Sequence, residues 1–168
     1  MRYLIDGYNL LHAWGLAPRG ARPGQLQRAR LSLLDRLRLT LGTATSGVTV
    51  VFDAANAPPD STPEKDYHGI RVCFVLDGSA DDFIEDLIRR DATPRELTVV
   101  SDDHRLRRAA EHRHCPSERC LDYVVRLQTR PAAPVAPTRQ RPAKPERPSP
   151  EETRKWLKEF GEVDADDL

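Results

Sequence analysis

Asp6, Asp53, Asp81 and Asp102 are the residues of this 168-residue chain whose type and placement point to chemistry. Asp6 closes the apolar run Arg2–Asp6, Asp53 closes Val48–Asp53 (VTVVFD), and Asp102 follows Leu97–Ser101 (LTVVS). Asp81 and Asp82 fall in the first turn of a helical pattern after a further run, Ile70–Leu76 (IRVCFVL), with Glu85 one turn on from Asp81. If these runs are parallel strands of one sheet, their carboxyl ends share an edge, and four chain-distant segments deliver carboxylates to one crevice. Like charges gathered there raise one another's pKa, and desolvation adds to the cost. A hard cation removes that cost, and oxygen ligands without Cys or His partners suit Mg²⁺ or Mn²⁺ rather than zinc. An ion held this way lowers the pKa of a bound water and stabilises charge developing on a phosphodiester, the chemistry of one- and two-ion nucleases. Each aspartate also has a local reading: Asp81 and Asp82 suit a helix N-terminus, and Asp102 suits a first turn. The convergence of all four segments favours a site.

The elements that would position these groups alternate along residues 1–128. The four runs are short and apolar enough for strands buried on both faces. Between the first two, Leu26, Ala29, Leu33, Leu34, Leu37 and Leu41 stripe a helix near Gln25–Leu41 that Gly42 closes. Ser79 is expected to cap a helix bearing Phe83, Ile84, Leu87 and Ile88, and Ser101 one bearing Leu106, Ala109 and Ala110. Ser117 is expected to cap a last helix with Leu121, Val124 and Val125 inward. This order predicts an α/β domain with a mostly parallel sheet and helices on both faces. After Asp6, Gly7 would let the chain turn sharply off the strand. Asn9 would orient a metal-bound water, hold a phosphate oxygen or cap the next helix.

Groups for a substrate stand nearby. Arg105, Arg107 and Arg108 follow Asp102, and Arg19 and Arg22 lie in a Gly/Pro-rich loop; any of them would contact phosphates or simply face water. Tyr8 and Trp14 are candidates for stacking on unpaired bases, with a core position the main alternative for Trp14. His104 would protonate a leaving oxygen or be an exposed helical histidine. The spacing of His112, His114, Cys115 and Cys120 matches no standard zinc finger. The polar segment Ala54–Gly69 beside Asp53 is either a loop gating the substrate or ordinary turn chemistry.

Composition bounds the rest. Residues 1–128 carry 18 basic and 18 acidic side chains, so nucleic-acid binding must rest on a local site. Seven of the 14 prolines fall between Pro131 and Pro150, marking residues 129–150 as an extended, disordered basic linker. Ser149-Pro150-Glu151-Glu152 then starts a short amphipathic helix within residues 151–168, with Trp156, Leu157 and Phe160 on one face. That face would dock on its own domain or on a protein partner. No run approaches the ~18–20 apolar residues of a membrane span, and the N-terminus has no signal-peptide pattern, so the expected location is cytoplasmic and without a membrane partner. Three cysteines fit reduced thiols there. Gly-rich dinucleotide and Walker loops are missing, which disfavours cofactor and nucleotide chemistry. Asp6-Gly7-Tyr8 likewise lacks the second carboxylate of a haloacid-dehalogenase site.

The ordered set Leu4-Ile5-Asp6-Gly7-Tyr8-Asn9, Val51-Phe52-Asp53-Ala54, Ser79-Ala80-Asp81-Asp82-Phe83-Ile84-Glu85 and Val99-Val100-Ser101-Asp102 resembles the YacP-like branch of the NYN domains, relatives of PIN-type ribonucleases. The likeness covers roughly residues 1–128. It implies a PIN-like three-layer α/β/α fold, a Mg²⁺ or Mn²⁺ site and endoribonuclease activity; in-line attack by a metal-bound hydroxide would then leave a 5′-phosphate and a 3′-hydroxyl. It places metal-binding carboxylates at Asp6, Asp81 and Asp102, matches Asp53 to the acidic strand end and Asn9 to the polar residue of the opening motif. Asp82 and Asp103 stand as second candidates beside Asp81 and Asp102. The expected partner is RNA, whether messenger, transfer or ribosomal, bound weakly when naked because the domain is neutral, with specificity supplied by a partner such as the ribosome. Rival readings are a metal-dependent phosphoesterase acting on DNA and a non-catalytic RNA- or ribosome-binding module using the basic linker and the C-terminal helix.

Overall fold

The computed structural model describes residues 2–17, 22–53 and 63–129. Arg19, the 54–62 part of the polar segment, and the linker and C-terminal helix beyond residue 129 lie outside the described residues. Six strands form one sheet: β1 (Arg2–Asp6), β2 (Val48–Asp53), β3 (Glu64–Tyr67), β4 (Ile70–Val75), β5 (Leu97–Val100) and β6 (Ser117–Glu118), in the order β3-β4-β2-β1-β5-β6. The helices are α1 (Gly7–Ala13), α2 (Pro23–Leu41), α3 (Ala80–Arg90), α4 (His104–His112) and α5 (Cys120–Thr129).

The two sides of the strands explain the layers. Tyr3, Ile5, Val48, Val50, Phe52 and Val100 join the core of α1, α2 and α5, whereas Leu4, Val51, Cys73, Val75, Val99 and Leu97 join that of α3 and α4. Both strand faces are thus apolar, and the three-layer α/β/α arrangement follows. Each fully buried Leu, Ile or Phe side chain contributes about 1.5–3 kcal/mol. The α2 stripe expected from the sequence is buried as a whole, from Leu26 to Leu41. Gly42 ends the helix at φ 59°, its N–H bonded to the Arg38 carbonyl.

Two of the six strands were not among the four expected. The segment after Asp53 is not all loop: Glu64–Tyr67 pairs antiparallel with β4 through a two-residue turn at His68-Gly69, both at positive φ. It carries no apolar alternation because it is an exposed edge, protected by charge and by the Glu64–Arg71 ion pair at 2.7 Å. β6 is only two residues long, too short for periodicity to register.

Helix starts also differ. Ser79 caps α3, accepting from the Asp82 amide at 3.1 Å, as expected. α4 is capped by Asp103 rather than Ser101, its carboxylate accepting from the Arg105 and Leu106 amides. Ser117 lies in β6, and α5 begins three residues later at Cys120. α5 buries Cys120, Tyr123, Val124 and Leu127 and leaves Leu121 and Val125 exposed, so only Val124 of the three residues expected inward is so.

α1 starts directly at the end of β1, and Gly7 is needed there for space rather than for a turn. Its φ is not in the left-handed region, and a Cβ at this position would overlap the Phe52 ring. Gly7→Ala is expected to destabilise the fold by about 1–3 kcal/mol through overpacking, read as a lower urea midpoint at unchanged slope. Gly24→Ala, with open space at the start of α2, should be neutral or stabilising by up to about 1 kcal/mol. Equal effects at the two glycines would exclude this explanation.

Candidate active site

Strand β1 is the centre of the parallel sheet, pairing with β2 on one side and β5 on the other. Its last residue, Asp6, is therefore flanked on both sides, and α1 begins on top of it. The side chain is 7% exposed. Asp6 is also the N-cap of α1: Oδ1 accepts from the Asn9 amide at 3.1 Å. Oδ2 accepts from the Asn9 side-chain amide and from the Ser101 hydroxyl, the latter at 3.3 Å. Asn9 Nδ2 lies 3.1 Å from Ser101 Oγ as well, closing a triangle. Asn9 thus stands at the third position of α1, and the cap of that helix is Asp6.

Burial raises the Asp6 pKa above its ordinary value. The backbone bond from Asn9 opposes that shift, the charge of Asp81 adds to it, and the side-chain bonds from Asn9 and Ser101 again oppose it. Asp81, in the first turn of α3, is itself raised by burial and then by Asp103, and lowered by Arg105. Asp6, Asp81 and Asp103 are therefore linked electrostatically across β1, α3 and α4. Asp82 is held down in pKa by its hydrogen bond from Arg105 and by that from Ser79.

The remaining candidates fall around this core. Asp102 Oδ1 accepts from the Cys120 amide at 3.1 Å, with Arg119 Nε at 3.7 Å, so that carboxyl anchors the start of α5. Asp53 ends β2 two register positions beyond the level of Asp6, and its carbonyl lies 3.5 Å from the Tyr8 hydroxyl. Tyr8 is half-buried, edge-on to Phe52 and receiving a bond from Arg30 at 3.1 Å. Arg105 bridges Asp82 at 2.6 Å and Glu85 at 2.7 Å, whereas Arg108 is exposed. Arg22 and His104 are exposed, and Arg107 is half-buried. Trp14 packs against the α1–α2 core beneath the Arg36 guanidinium, 5.7 Å from the ring centre. Cys115 and Cys120 belong to cores on opposite faces of the sheet.

Among the described residues no three His, Cys, Asp or Glu side chains are drawn together as a metal shell. The donor chemistry nevertheless fits a hard divalent cation: the buried Asp6 carboxylate, its pKa raised, feels the charge of Asp81, which in turn feels that of Asp103, and all offer oxygen. Two further residues belong to this arrangement. Ser101, which the sequence pattern predicts as a helix cap, is instead wholly buried and bonded to Asp6. Asp103 stood only as a substitute for Asp102. The run Ser101-Asp102-Asp103 at a strand end was the available signal.

The raised Asp6 pKa has a definite sign. As pH rises from 3.8, the unfolded chain releases this proton before the folded one does, so native stability falls through that window and the cost persists above it. In EDTA at pH 7, Asp6→Asn is expected to melt above the wild type, with the gap narrowing as the pH falls toward 4. A constant gap across that range would sink this account.

The family model of the YacP-like NYN domain matches residues 3–157. Two crystal structures of Rae1 (YacP) from Bacillus subtilis share the fold, the wild type and a tryptophan-to-leucine mutant. Identities are 24% and 23%, each over 77% of this chain, covering 74% and 76% of theirs, both at a TM-score of 0.60. No curated protein matches the sequence. With a match that spans most of its length, the chain belongs to the YacP-like NYN domain family, whose members are nuclease-like.

Proposed function

We propose that this protein is a metal-dependent endoribonuclease that hydrolyses RNA phosphodiesters to a 5′-phosphate and a 3′-hydroxyl. The observation that carries the reading is the buried Asp6 carboxylate, held by Asn9 and Ser101 and pressed by Asp81, at the carboxyl end of the central strand. An unpaired charge is costly to bury, and keeping one there has a reason if a cation joins it.

Asp6 and Asp81 would be the principal ligands of Mg²⁺ or Mn²⁺. Asp103 would complete the set on the side of Asp81, while Asp102 secures α5 and Asp82 is held by Arg105. The bound ion would supply Lewis-acid stabilisation of charge on the phosphate and a more acidic water. Asn9 and Ser101 are positioning residues. Their donors hold both Asp6 oxygens and favour the ionised carboxylate that a cation needs. Asp53 would act at the neighbouring strand end. RNA is the substrate class, with a ribosome or other partner contributing specificity because the domain as a whole is neutral. The cytoplasm is the compartment that fits. Among the described residues no helix is long and apolar enough to cross a membrane.

The test is cleavage of a mixed-sequence single-stranded RNA with Mn²⁺, Mg²⁺ or EDTA. Wild type should cut only with metal, leaving 5′-phosphates, and Asp6→Asn should cut nothing detectable. A metal that neither raises the melting temperature nor supports cutting would remove the nuclease reading in favour of a binding module. Asn9→Ala and Ser101→Ala should each weaken Mn²⁺ affinity by about 10–100-fold in calorimetric titration. Asp103→Asn keeps a capping oxygen for α4, so it should lose cleavage with little loss of stability; a larger loss of cleavage in Asp102→Asn would instead make Asp102 the third ligand.

A further inference from the structure

Helices α3 and α4 lie side by side and run the same way, because both pairs of ends are joined. At the start, Arg105 of α4 reaches Asp82 and Glu85 of α3. At the finish, Arg113 Nη2 donates to the Asp91 carbonyl at 3.0 Å. Between these ends runs a groove of about 750 Å³ with Ile88 and Ala109 among its lining residues. Its first end is at Arg105, whose amide donates to Asp103 and whose charge acts on Asp81.

The groove is rich in cations. Four arginines line it, Arg89, Arg105, Arg108 and Arg113, together with His104 and His112, against one carboxylate, Glu85, among the described residues. Their commitments differ. Arg105 is occupied by two carboxylates and Arg89 by Asp86. Arg113 Nε is buried without a hydrogen-bond partner among the described residues. Arg108, halfway along, is exposed and makes no ion pair or side-chain hydrogen bond among them. From His104 to Arg113 the helix rises about 13 Å, the length of about four stacked nucleotides at ~3.4 Å each.

We propose that this groove is the track for the sugar–phosphate backbone of a single-stranded RNA on its way to the acidic edge, with Arg108 as its principal phosphate contact. The proposal rests on the nuclease reading for what happens at that edge. RNA suits the groove better than an acidic peptide does. A strand laid along the groove brings its next phosphodiester to the carboxylates beside Arg105, which the nuclease reading needs and a peptide does not supply. The track also reconciles a neutral domain with an anionic substrate, because the positive charge is local.

The experiment is fluorescence anisotropy of a labelled oligouridylate of about twelve nucleotides with the full chain in EDTA, across a range of salt. Arg108→Gln should weaken binding several-fold and reduce the slope of log affinity against log salt by about 0.7, the value for one lost contact on a single strand. Its melting temperature should not move. Arg28→Gln, an exposed cation on α2 at the other face of the sheet, should leave affinity and slope as in wild type. Equal effects of the two variants, no effect of either, or no wild-type binding at low salt overturn the track. So does displacement of the RNA by polyglutamate as effectively as by unlabelled oligouridylate, which would reassign the groove to an acidic protein segment. Because binding is read without metal, the two readings separate. Cleavage by a wild type whose Arg108→Gln variant binds normally removes the track alone, and a normal track in a protein that cuts nothing removes the nuclease alone.

Discussion

Burial of the Asp6 carboxylate is the constraint on which the rest of the site depends. The central strand of a doubly covered sheet must end somewhere, and here it ends at an acid with β2 and β5 on either side and a helix beginning at the next residue. A carboxylate so enclosed is stable only if its oxygens are matched by donors. The first turn of α1 supplies two from Asn9, and the end of β5 supplies a third from Ser101. The close start of α1 requires Gly7 to lie against Phe52, so the packing of β2 and the position of the acid are one problem with one solution.

The three residues after β5 show how a short polar run divides its tasks. Ser101 turns inward to Asp6, Asp102 turns to the start of α5, and Asp103 caps α4. Side chains of successive residues leaving a strand point in different directions, which lets one tripeptide tie three elements to the same edge. The Asp103 amide also donates to Ser101 Oγ at 3.0 Å, holding that hydroxyl where it serves Asp6. Electrostatics then joins the layers. Asp81 of α3 senses Asp103 of α4 and acts on Asp6 of β1, while Arg105 limits the accumulated charge by binding Asp82 and Glu85.

The two faces of the sheet treat cations differently. On the α1–α2 side Arg30 is buried beneath the aromatic rings of Phe52 and Phe74 and bonded to Tyr8, where a guanidinium serves packing. On the α3–α4 side the arginines line an open groove. Sequence composition averages these two uses, so the count of arginines says little about which face meets an anion.

Much of the fold was legible because it rests on periodicity. Four short apolar runs, the α2 stripe and the inward residues of α3 all follow from burying one face or two, and this local pattern survives in the chain order. The ordered acidic motifs likewise indicated the family and the edge at which to look. What escaped was set by partners remote in sequence. β3 is an exposed edge with no apolar face to announce it, and β6 owes its two residues to β5. The face that α5 buries includes Cys120, whose amide bonds to Asp102, and leaves Leu121 and Val125 outward. The division between Asp102 and Asp103 was beyond reach for the same reason. Residue type says that both are acids, but only the packing of α4 and α5 decides which carboxylate caps α4 and which holds the start of α5. The chain by itself determined which residues lie near strand ends, through hydrophobic pattern and turn chemistry. The tertiary structure decided which of them share a field, because Coulomb interactions and hydrogen bonds depend on distances between elements far apart along the chain.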